Sequence, residues 1–65
     1  MEQIKKGRLD LTTVDGNAFA IIGAVRRALT KAGNEPAAVA AVIADMTSGN
    51  YDHLVAVAAS VTEEP

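Results

Sequence analysis

"SGNYDHL", Ser48 to Leu54, holds the only histidine and the only tyrosine of the chain beside a carboxylate, Asp52, directly after a glycine. Two readings compete for it: a small catalytic cluster, or the corner between two helices. The spacing favours the corner. Gly49 stands where a left-handed residue closes a preceding helix. Asn50 is an N-cap type whose side-chain oxygen accepts from free N–H groups of the next first turn, and Asp52 falls in that turn, where the helix dipole favours a negative charge. Tyr51 is expected to lay its ring over the junction with its hydroxyl in water, and His53 to sit on an exposed turn. Neighbouring helical positions point about 100° apart, so Asp52 and His53 do not form a dyad by themselves. Thr47 and Ser48 bring hydroxyls, but no oxyanion donor or orienting third group accompanies them, so no catalytic residue is predicted.

Helical periodicity extends from this corner in both directions. Upstream, Val39, Val42, Ile43 and Met46 recur at i, i+3, i+4 and i+7 and predict a helix over 35–48, with Asn34 or Glu35 as cap and Pro36 in the first turn. Its other face is Ala37, Ala40, Ala41, Ala44 and Asp45. Downstream, a helix over 51–62 carries the stripe Leu54, Val57, Ala58 and Val61, with Val55, Ala56 and Ala59 left over on other faces. A third helix is predicted over 17–32, where Ala18, Ile22, Val25 and Leu29, flanked by Ile21 and Ala32, make one apolar stripe. Asp15 or Asn17 caps it, Gly16 makes the bend before it, Arg27 and Lys31 lie on its wet side, and Gly33 closes it.

Residues 1–14 lack helical period. Leu9 and Leu11 alternate with Arg8, Asp10 and Thr12, the pattern of a strand with one covered face. Its partner is either Glu2 to Lys5 folded back across Lys6 and Gly7, which sets Ile4 opposite Leu9, or the same strand of a second copy; otherwise the segment is a free arm. The strand is expected to cross the first helix at Gly23, under Phe19. The fold class is therefore mostly α: a compact three-helix domain with a short N-terminal strand or β-hairpin packed on it.

Composition narrows the function. A chain of 65 residues is one domain, and at this size folding hides only about 60% of the surface of the unfolded chain. There is no cysteine and one histidine, so neither a disulfide nor a metal or other cofactor is expected. Phe19 and Tyr51 are the only aromatics, and much of the 49% apolar content is alanine, so the core is thin. No apolar run is long enough for a bilayer and Met1 to Lys6 do not resemble a secretory signal, which predicts a soluble, cytoplasmic protein without a membrane role. A net charge of −2 disfavours broad phosphate binding.

The segments "DGNAF", Asp15 to Phe19, followed by Ile21, Ile22 and Gly23, and then "SGNYDHL" resemble the shared pieces of a family of small uncharacterised proteins of bacterial genomes, phages and plasmids. The likeness frames the chain from about Arg8 to Ala58 and departs at Asn34 and Glu35. It implies a compact small domain and brings no activity. Together these readings predict a non-catalytic protein-interaction module, phage- or plasmid-related, whose partner is another protein or a second copy in a homodimer. The candidate interface is Phe19, Gly23 and Arg26 on the first helix with Val55 and Ala59 on the third. The alternative is a small helix-turn-helix regulator that binds nucleic acid. It ranks lower because Asp52, Glu63 and Glu64 accompany the would-be recognition helix without any Lys or Arg.

Overall fold

The computed structural model describes residues 4–65 and contains three helices with a two-stranded parallel sheet. Helix α1 spans Ala18–Lys31. Both candidate caps are used, in series: the Asp15 carboxylate accepts from the Asn17 N–H at 3.0 Å, and the Asn17 side chain accepts from the Phe19 N–H at 2.8 Å. Gly33, at φ 99°, follows its end, a conformation that L side chains rarely adopt.

Helix α2 spans Pro36–Met46. Glu35 occupies its cap position without a side-chain bond, and Pro36 follows at the first helical position, where its missing N–H costs nothing. Asn34 has a different task. Its side chain accepts from the Lys5 N–H at 2.9 Å and donates to the Lys5 and Leu29 carbonyls at 2.8 and 2.9 Å, clamping the N-terminal arm to the α1–α2 turn. Helix α2 stops at hydroxyls, not at a left-handed glycine. Thr47 Oγ1 donates to the Ile43 and Ala44 carbonyls and Ser48 Oγ to that of Asp45, while Gly49 keeps an ordinary backbone conformation.

Helix α3 spans Tyr51–Ser60, with Asn50 as its cap, accepting from the His53 N–H at 2.9 Å. It ends two residues earlier than its apolar pattern suggests because the chain leaves to form strand β2, Thr62–Glu63. Strand β1, Gly7–Arg8, pairs with β2 in parallel, Gly7 beside Thr62 and Arg8 beside Glu63. The Gly7 N–H donates to the Val61 carbonyl at 3.0 Å and the Leu9 N–H to the Glu63 carbonyl at 2.9 Å. The N-terminal strand thus exists, but its partner is the far end of the same chain. The hairpin reading falls partly on Glu2 and Gln3, outside the described residues. Of its remaining members, Lys5 has its backbone N–H and carbonyl bonded to Asn34. The alternation around Leu11 is a 3-10 turn, Leu11–Thr13, capped by Asp10.

Val25, Leu29, Met46 and Ala58 are wholly buried, and Ile21, Val39, Leu54 and Val61 complete the core around them. The α1 stripe runs through Ile21, Val25 and Leu29, with Ile22 only half-buried. Ile4, Leu9, Leu11 and Val14 pack against this core, so the arm is its lid. The arm does not cross α1 at Gly23. It crosses at Ala28, where a Cβ on Gly7 would stand 2.7–2.9 Å from the Ala28 backbone and methyl group. Gly23 has only an Arg27 nitrogen nearby, 3.5 Å from where its Cβ would be.

Gly7→Val should therefore destabilise the fold by about 1–3 kcal/mol, because neither the α1 backbone nor β2 can yield the missing space; urea denaturation reads the difference. A second outcome concerns Asp10, whose carboxyl is held below its ordinary value first by the Thr12 hydroxyl and then by the Thr12 N–H. A carboxylate depressed in the folded state stabilises the fold above its unfolded value and loses that contribution as the pH falls through the folded one. In an NMR titration the Asp10 carboxyl should move upward in Thr12→Val.

Candidate functional site

Around the SGNYDHL corner, side chains from α2 and α3 meet. His53 Nε2 lies 2.9 Å from Asp45 Oδ1, 3.0 Å from the Asp45 carbonyl and 3.4 Å from Ser48 Oγ. This has the membership of a serine–histidine–aspartate relay but not its chemistry. In a relay the carboxylate holds one ring nitrogen and the serine meets the other. Here every neighbour converges on Nε2, whose two acceptors on Asp45 require the proton to be there, and Ser48 already donates to the Asp45 carbonyl at 2.7 Å. The cluster fastens the α2–α3 turn. His53 is accordingly more than a residue on an exposed turn, and Gly49 lies tight against it: a Cβ there would stand 3.0 Å from the His53 side chain, which would have to give by a few tenths of an ångström.

Tyr51 also differs from expectation. Its hydroxyl donates to the Gly16 carbonyl, joining the start of α3 to the turn before α1. Asp52 sits exposed in the first turn of α3. The residues Asp15, Gly16, Asn17, Asn50 and Tyr51 thus form one bonded belt linking two helix starts.

The five candidate interface residues do not make one surface. Arg26 borders a groove between α1 and α2 with Thr30, Pro36 and Ala40, whereas Ala59 borders another with Leu9, Leu11 and Thr62. Val55 is half-buried and packs against the core, so the leftover apolar face of α3 shrinks to Ala56 and Ala59. The helix hides more of its girth than its sequence suggests because the arm and β2 flank it. Phe19 is the opposite case, 85% exposed on the first turn of α1. Gly23 lies one turn further along the same face, open except for Arg27.

No family model, curated protein or solved structure matches the chain. All six Lys and Arg residues precede residue 32, while only acidic side chains follow among the ionised types. Among the described residues none of those cations has an acidic partner within ion-pair distance; the one such contact is His53 with Asp45. Arg8 and Lys31 rim a groove floored by Ala28 and Ala32. Among the described residues no helix is long and apolar enough to cross a membrane, and no three His, Asp or Glu side chains converge on a metal position.

Tyr51→Phe should cost about 0.5–1.5 kcal/mol, the worth of one net hydrogen bond. His53→Ala removes an exposed pair and should cost less than about 1 kcal/mol. Thermal denaturation of the two variants side by side checks that ranking.

Proposed function

We propose that this chain is a non-catalytic interaction module whose contact surface is the outer face of α1 around Phe19. One observation carries the reading: a small domain whose core holds no aromatic leaves its only phenylalanine in water. Burying such a ring is worth about 1.5–3 kcal/mol, a large share of what a small domain has to spare. A phenylalanine kept outside at that cost, beside an unfilled glycine position, fits a surface that a protein covers. The resemblance of the D-G-N-A-F and S-G-N-Y-D-H-L segments to small bacterial, phage and plasmid proteins suggests the setting, with action in the cytoplasm.

The helix-turn-helix alternative is less well supported. Helices α2 and α3 are joined through residues 47–50, but α3 brings Asp52 and no cation to its exposed side, while the basic residues lie on the arm and α1. A major-groove reader needs its positive charge on or beside the inserted helix.

The test is a photo-crosslinking amino acid placed at Phe19, with Ala44 on the outer face of α2 as control. Irradiation of cells should give a discrete protein adduct from position 19 and none from position 44. No adduct at 19, or equal adducts at both, would overturn the proposal. A mobility-shift assay with duplex DNA at low salt should show no retarded band.

A further inference from the structure

Resting on that reading, we infer that the partner is a second copy of this chain, docked with the two α1 helices antiparallel and Phe19 of each seated over Gly23 of the other. Three observations lead there. The first is shape. Phe19, Gly23 and Arg27 follow one another at i, i+4 and i+8, so a projecting ring, a position with no side chain and a guanidinium share one face. Nothing but an Arg27 nitrogen, 3.5 Å away, approaches the place a Gly23 Cβ would fill. A knob and its hole on the same patch are what a two-fold interface needs, since each surface must complement itself.

The second is the guanidinium. Because an Arg27 nitrogen lies beside the Gly23 position, a ring placed there meets the guanidinium, a favourable pairing of an aromatic and a cation. Arg27 belongs to this surface more directly than Arg26, which borders the groove toward α2.

The third is charge, and it selects the direction. The C-terminal half of α1 carries Arg26, Arg27 and Lys31 with no acid, whereas the turn before the helix holds Asp15. A parallel pair would set the cations of one copy against those of the other. The antiparallel register that puts Phe19 over Gly23 is centred near position 21, and it carries Arg27 of each copy to the helix start of the other, where Asp15 is exposed. It also opposes the two helix dipoles.

Sedimentation equilibrium of the full chain from micromolar to millimolar concentration tests this. A monomer–dimer equilibrium is expected. Phe19→Ser should raise its dissociation constant at least tenfold. Gly23→Leu should abolish the dimer while raising the thermal midpoint, because it fills the notch yet replaces a mid-helix glycine with a better helix former. That rise separates a blocked interface from a failed fold. Arg27→Glu should weaken the dimer, and so should Asp15→Asn, which removes the charge but keeps an oxygen to accept from the Asn17 N–H; a dimer unaffected by either would overturn the antiparallel register. A wild-type chain that stays monomeric at millimolar concentration, or a dimer indifferent to both Phe19→Ser and Gly23→Leu, would overturn the inference. If crosslinks from position 19 then join a different protein, the second-copy inference falls while the interaction module stands; if position 19 gives none, both fall.

Discussion

The fit of Gly7 against Ala28 is the constraint on which the rest of this fold depends. Three helices rich in alanine cannot enclose enough apolar surface between them, so the core they share needs a cover from outside the bundle. The arm supplies it, with Ile4, Leu9 and Leu11 reaching the core. It can do so only by lying directly on the α1 backbone, which requires a residue without Cβ on one side and a small one on the other. Once there, the arm offers its other edge to β2, and pairing with Thr62 and Glu63 ties the N-terminal region to the end of α3. Asn34 fastens the same arm at Lys5. Helix, arm and tail are thus held by one short segment, which explains how a chain without disulfides closes a core this small.

What was legible in the sequence follows the range of the interaction. The helix starts at Asn17, Pro36 and Asn50 and the glycine turn at Gly33 are set by groups a few residues apart, and reading local chemistry locates them. The β1–β2 pairing leaves no such trace: two residues near one terminus meet two near the other, and a parallel pair carries no turn signal between its strands. The same holds for the Tyr51 bond to Gly16 and the Asn34 clamp on Lys5. Asparagine two residues before a proline reads as a cap, and only the position of the arm makes it a clamp.

The glycines show where pattern reading misleads. Gly23, opposite a strand with Leu9 and Leu11, looks like the crossing point because it lies in a helix beside an aromatic, and Gly7 looks like a simple turn. The roles are reversed. A glycine required for close approach is recognised by what its Cβ would strike, and that depends on elements distant in sequence. Gly49 is similar: its position after α2 suggests a left-handed cap, yet Thr47 and Ser48 have already taken the carbonyls that such a cap serves, and the neighbour that crowds its Cβ position is His53.

With Gly7 and Gly49 explained by contact and Gly33 by its backbone angle, Gly23 remains the glycine inside a helix that neither reason covers. Glycine in a helix interior weakens it by roughly 1 kcal/mol relative to alanine, and here the space for a methyl group is free. One turn away, Phe19 forgoes the burial that every large aliphatic side chain of α1 has at least in part. Two departures from what stability favours, adjacent on one face, are hard to attribute to folding, since a fold gains by relieving each independently. They would fit together if, as inferred above, the ring of one copy occupies the gap of another, so that the cost in the monomer is recovered on association.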